Sequence, residues 1–86
     1  MSQFLVESHH TKEECLRELD ALSTKPEVLE KFSWACGSGD HTGYGVIEAR
    51  SEKEARDVVP EFVRGKAEVK PVSRMTPETI RSLHMK

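Results

Sequence analysis

Two helix-start signals constrain the fold of this chain more than any other feature of its sequence. Thr11 is followed three residues later by Glu14, and Ser51 is followed in the same way by Glu54. Each pair is a capping box, in which a hydroxyl and a carboxylate bind free N–H groups at the start of a helix. Apolar residues follow both boxes at helical spacing: Cys15, Leu16, Leu19 and Leu22 after the first, and Ala55, Val58, Val59, Phe62 and Val63 after the second. We therefore predict a helix over residues 11–22 and a second one that the following proline bends or ends.

The segments around these helices have the patterns of strands. Residues 3–9 alternate apolar and polar side chains, which is typical of a half-buried strand. Residues 32–36 and 41–49 flank the sequence GSGD, the signal of a hairpin with a short turn. Residues 66–74 form a further strand, in which Pro71 favours an edge position because it cannot donate to a ladder.

Two helical segments complete the predicted layout. Pro26 occupies the first position of a short helical turn, and Thr76 caps a C-terminal helix with Pro77 behind it. The order is strand, helix, strand, strand, helix, strand, with the C-terminal helix added. It predicts an α+β protein with a ferredoxin-like βαββαβ antiparallel sheet and helices on one face. With 86 residues, we expect a single ferredoxin-like domain over 1–86.

In element order and in the run GDHTGYGVIEARSEKEA, the chain resembles small, often uncharacterised ferredoxin-like proteins of the dimeric α+β barrel type. The resemblance implies the fold and a tendency to form a homodimer through the open sheet face. It carries over no catalytic residue, because no catalytic motif matches. The outer sheet face supplies a separate reason for pairing, since Leu5, Tyr44, Val46 and Val72 place apolar side chains among charged ones. Coverage of that face by the C-terminal helix is the alternative.

Composition excludes several classes of partner. The 13 basic and 15 acidic residues are interspersed and give a formal charge of −2, so we expect no nucleic-acid binding. No run approaches the roughly 20 apolar residues of a membrane span, and the first ten residues lack the pattern of a secretion signal. We therefore expect a cytoplasmic protein whose two cysteines are thiols rather than a disulfide.

Histidine and cysteine residues mark the candidate site. In an antiparallel sheet with the first and third strands at its centre, the end of the first strand lies beside the start of the third. His10, Cys36 and His41 then meet at one end of the domain and project towards the helices. Imidazole and thiolate are ligands that zinc and related metals prefer, so we predict a site for zinc or another transition metal. Asp40 or His84 would complete it, the latter only if the last helix folds back.

Three further residues are candidates for contact with a ligand: Trp34 as a wall of the site, with Asp40 and Tyr44 nearby. The expected pairing places Trp34 opposite Gly43, with its ring covering bare backbone, whereas a small pocket left by the glycine is the alternative.

Two other functions use no metal. Cys36 would act as a thiolate nucleophile or redox sensor with His10 or His41 as its base. A structural homodimer without a small ligand is the third hypothesis. Cys15 is expected to pack in the core, and overall a binding protein is favoured over an enzyme.

Overall fold

The computed structural model describes residues 1–85. Within these residues, four strands, five short α-helices and one 3-10 helix follow each other. They are β1 (Ser2–His9), α1 (Lys12–Ser23), α2 (Pro26–Leu29), β2 (Phe32–Trp34), the 3-10 helix (Cys36–Ser38), β3 (Thr42–Ala49), α3 (Glu52–Arg56), α4 (Glu61–Arg64), β4 (Glu68–Val72) and α5 (Pro77–His84).

The four strands form one antiparallel sheet in the order β2-β3-β1-β4. The first and third strands are therefore neighbours at its centre, and the α+β class with an antiparallel sheet is confirmed. The strand that contains Pro71 lies at an edge, beside β1 only. An edge strand tolerates proline because its outer side forms no ladder.

The capping residues act where the sequence indicates. The N–H of Glu14 donates to the Thr11 hydroxyl at 3.2 Å, and the N–H of Thr11 donates to the Glu14 carboxylate at 2.8 Å. The Ser51 hydroxyl accepts from the N–H of Glu54 at 3.1 Å. Pro60 separates α3 from α4, so the predicted interruption of this helix is confirmed.

The β2–β3 connection differs from the predicted short turn. Strand β2 ends at Trp34, and Cys36 begins the 3-10 helix instead of continuing the strand. Gly39, with a φ of +92°, then turns the chain towards β3 in a conformation that favours glycine. The expected register is nevertheless present, because Trp34 pairs with Gly43. A Cβ on Gly43 would lie 2.6 Å from a carbon of the Trp34 ring, so the ring covers bare backbone as predicted.

The core lies on one face of the sheet, where helices α3 and α4 pack against it. It consists of Phe4, Val6, Phe32, Ile47, Ala49, Ala55, Val59, Val63 and Ala67. The buried line of α1 differs from the expected apolar stripe. Leu16 is 68% exposed, whereas Glu18 is fully buried and Cys15 half-buried. Residues 15, 18 and 22 share one face of a helix, and Leu16 lies about 100° from Cys15 around its axis.

Helix α5 stands apart from the core, since none of its residues is buried. Ile80 and Leu83 remain about half exposed. None of the helices within residues 1–85 has the length and apolar character needed to cross a membrane.

Candidate metal centre

Four metal-ligating side chains meet where β1 ends and β3 begins. They are His10, Cys15, Cys36 and His41, and each offers one donor atom within 4.8 Å of the other three. His10 is buried and the other three are half-buried. We call this group the inner cluster.

Two short segments supply the inner cluster, and each supplies one histidine and one cysteine five residues apart. His10 and Cys15 stand on either side of the capped start of α1, while Cys36 and His41 stand on either side of the β2–β3 turn. The N–H of His10 donates to the carbonyl oxygen of His41 at 3.1 Å. This backbone bond holds the two segments together at the point where the side chains converge.

Distances within the inner cluster are close to those of a zinc site. The His10 Nε2 atom lies 3.3 Å from the Cys36 Sγ atom, and the Sγ atoms of Cys15 and Cys36 are 3.2 Å apart. Tetrahedral zinc, with Zn–S of about 2.3 Å and Zn–N of about 2.0 Å, requires separations of about 3.3 to 3.8 Å between its ligand atoms. Small side-chain shifts would therefore accommodate an ion.

Glu18 fixes the orientation of the His10 ring from behind the inner cluster. Both side chains are fully buried, and the Glu18 Oε1 atom lies 2.8 Å from the His10 Nδ1 atom. This distance is that of an ion pair, although the ring N–H is not aligned for a hydrogen bond. The Ser8 hydroxyl donates to the other carboxylate oxygen. A carboxylate beside Nδ1 favours a proton on that nitrogen and leaves Nε2 free to coordinate a metal.

Burial also governs the protonation of these groups. It raises the pKa of Glu18, against the hydrogen bond from Ser8 and the charge of His10, which lower it. It raises the pKa of the Cys36 thiol to about 11, with a further contribution from the hydrogen bond with Cys15. Cys36 is therefore a protonated thiol at neutral pH, unlike a cysteine activated for nucleophilic attack.

Within residues 1–85, the His41 ring has an unpaired polar atom. Its Nδ1 atom is buried and has no hydrogen bond to any part of the chain that the structure describes. Buried polar atoms are normally paired. Coordination of a metal by the His41 ring would give this buried group the partner that it lacks within the described chain.

The predicted ligand-contacting residues lie on two different faces. The Trp34 ring centre is 6.0 Å from that of His10, so this residue walls the inner cluster. Tyr44 pairs with Glu7 on the outer face, where its hydroxyl donates to Asp40 at 2.9 Å. The Thr42 hydroxyl donates to the second oxygen of Asp40 at 2.9 Å, and these two bonds lower the pKa of the Asp40 carboxyl.

The fourth donor differs from the two that the sequence suggested. Both oxygens of Asp40 are bonded elsewhere, and His84 is an exposed residue of α5. Cys15 fills this position instead, so its assignment to the core is corrected. One sequence signal could have identified Cys15. It lies three residues before Glu18, so the two side chains share the face of α1 that contacts the end of β1.

A second, outer group of possible ligands occupies the opposite face of the sheet. Glu7, His9 and Glu68 bring their donor atoms within 4.8 Å of one another. The His9 Nε2 atom is 3.0 Å from the Glu68 carboxylate, and this bond lowers the pKa of Glu68. The group is open to solvent and contains no sulfur donor.

Comparison with protein-family models, with curated proteins and with solved structures finds no match to this chain.

Proposed function

We propose that this protein binds one transition-metal ion, with zinc the best match, through His10, Cys15, Cys36 and His41. The observation that carries the proposal is the convergence of two imidazoles and two thiols within 4.8 Å. Two sulfur and two nitrogen donors in tetrahedral array form one of the common structural zinc sites. Softer donors of this kind favour zinc or copper over magnesium or calcium.

A site with four protein ligands has a structural or storage role rather than a catalytic one, because no position remains for water or substrate. The ion would join the start of α1 to the β2–β3 turn, two segments that are distant in the sequence and adjacent in the fold. Its binding free energy would then add to the stability of the folded chain. Since both thiols must lose a proton, the affinity should weaken as the pH falls.

We propose a ferredoxin-like architecture, supported by the central position of β1 and β3 in an antiparallel sheet. A reducing compartment such as the cytoplasm suits a site that needs thiol donors.

Metal titration tests the proposed site directly. Metal-free protein without a histidine tag is titrated with zinc against a chromophoric chelator, and with cobalt to record its absorption. We expect one ion per chain and the intense visible bands of tetrahedral cobalt with thiolate ligands. Cys15→Ser and Cys36→Ser should weaken binding strongly, whereas His84→Ala, an exposed histidine outside the cluster, should bind as the parent does. Failure to bind zinc at micromolar concentration would refute the proposal.

Nucleophilic catalysis by Cys36 is the second candidate. It is favoured by one observation, the line from Cys36 through His10 to Glu18, with separations of 3.3 Å and 2.8 Å. This is the order of nucleophile, base and orienting acid in cysteine enzymes. The raised pKa of Cys36 opposes it. Alkylation of the thiols as a function of pH separates the two, because a catalytic Cys36 would react with an apparent pKa well below about 8.5.

A further inference from the structure

The two cysteines lie closer to each other than their positions in the sequence suggest. They are 21 residues apart, on α1 and on the 3-10 helix, and the Cys15 thiol donates to the Cys36 sulfur at 3.2 Å. Both are free and half-buried. A disulfide bond requires about 2.0 Å between the sulfur atoms, so a shift of roughly 1 Å would bring them to bonding distance.

The segment that holds Cys36 is suited to such a shift. The three-residue 3-10 helix is followed by Gly39, and a Cβ on either Gly37 or Gly39 would meet nothing within 4 Å. Residues 37–40 are exposed. Movement of Cys36 would therefore leave the packing of the core unchanged, whereas Cys15 stays fixed on α1.

We infer that Cys15 and Cys36 form a reversible intramolecular disulfide by exchange with a low-molecular-weight disulfide, and that its formation releases the metal. The release step rests on the proposed function. The disulfide itself depends only on the juxtaposition of the two thiols. The inferred pair is thus a modification site as well as half of the metal centre.

The exchange proceeds in two balanced steps. One protein thiol, as thiolate, attacks the small disulfide, whose sulfur–sulfur bond breaks to give a mixed disulfide and one free small thiol. The second protein thiolate then attacks the protein sulfur of the mixed disulfide and displaces the other small thiol. The two cysteine sulfurs are oxidised and the two sulfurs of the small disulfide are reduced. In the metal-free chain both cysteine protons end on the released thiols, and in the zinc-bound chain, where the cysteines are already thiolates, the released thiols take two protons from water.

Loss of the metal follows from the ligand count. A disulfide sulfur carries no thiolate charge, and the thiolate is the form that binds a metal. Oxidation would leave only His10 and His41, two neutral imidazoles, as ligands. Zinc sites in proteins keep at least three protein ligands.

Oxidised glutathione added to the zinc-loaded chain tests the inference. We expect the intact mass, measured after denaturation that removes the metal, to be two hydrogen atoms below that of the reduced metal-free chain, and one zinc to be released per chain, measured with a chromophoric chelator. Dithiothreitol should reverse both changes. Cys15→Ser and Cys36→Ser should each retain one bound glutathione instead, because the second thiol that displaces it is absent.

Three results would contradict the inference. They are a parent chain that keeps its glutathione, a disulfide that joins two chains, and a disulfide that forms while zinc stays bound. A chain that binds no zinc would refute the proposed function and with it the release step. In that case the mass of the oxidised metal-free chain still decides whether the two thiols form the disulfide.

Discussion

Adjacent histidines place two groups of possible metal ligands on opposite faces of the same sheet. His10 belongs to the inner cluster, where it and its partner Glu18 have fully buried side chains. His9 belongs to the outer group, where it is 39% exposed and its partner Glu68 is 64% exposed. Both groups bring their donors within 4.8 Å. Proximity alone therefore does not distinguish them.

Solvent and donor chemistry make the difference. Water competes for the contact between His9 and Glu68, so this contact contributes little to stability. Around His10, a buried carboxylate must keep its partners, because removal from water is costly unless hydrogen bonds and charge replace it. The inner cluster is thus held in place by its surroundings, and it alone contains thiols.

The largest expected effect comes from removing each carboxylate. Glu18→Ala should lower the free energy of unfolding by about 3 to 5 kcal/mol, because it leaves the Ser8 hydroxyl and the His10 Nδ1 atom buried without a partner. Glu68→Ala should change it little, since that side chain is in water. Urea denaturation of the metal-free protein measures both, and Glu18→Gln, which keeps the shape, should lose less. Equal losses for Glu18→Ala and Glu68→Ala would remove the distinction between the faces.

Exchange of the neighbouring histidines compares the two groups as metal ligands. His10→Ala should weaken zinc binding by more than about a hundredfold, since loss of a supporting partner alone costs about ten- to a hundredfold. His9→Ala should leave the affinity unchanged. Competition with a chromophoric chelator gives the dissociation constants, and His41→Ala provides a second ligand variant without contact to Glu18. Weaker binding by His9→Ala alone would move the site to the outer face.

A smaller effect is expected where Trp34 covers the glycine beside the inner cluster. Gly43→Ala places a methyl group 2.6 Å from the ring, so the ring must shift, at a cost of about 1 to 3 kcal/mol in the free energy of unfolding. Gly65→Ala is the matched control, because φ is −66° and nothing lies within 4 Å of the added carbon. Its stability should be equal or slightly higher. Equal values for both variants would show that Trp34 does not pack as described.

The smallest change in the free energy of unfolding is expected for a substitution on the outer face of the sheet, where two copies of the chain would pair. Pairing of two copies through this face stays a prediction, and light scattering during size exclusion should give twice the mass of the chain. Val46, 46% exposed, lies on that face, whereas Leu16, 68% exposed, lies on α1. Val46→Glu should give monomers and Leu16→Glu should not, with little effect of either on unfolding. A monomeric parent would refute the prediction.

Much of the fold could be predicted because its signals are local. The capping boxes, the prolines and the pairing of Trp34 with Gly43 each depend on residues close together in the sequence. The end of β2 could not be predicted, since Cys36 leaves the strand to form the 3-10 helix. Leu16 belongs to the apolar pattern of α1 but is 68% exposed, because the face of α1 that turns to the sheet carries the buried Glu18 instead. Glu18 is buried there because Ser8 and His10, at the end of β1, contact its two carboxylate oxygens.

The sequence by itself identified histidine and cysteine side chains as possible metal donors and predicted that His10, Cys36 and His41 lie close together. Only the tertiary structure decided that Cys15 joins these three residues and that Glu18 lies beside His10. Cys15 and Glu18 reach the site because of the rotation of α1 over the sheet, which depends on contacts between segments distant in the chain. Periodicity defines which residues share a helix face, but the direction in which that face points is fixed by packing.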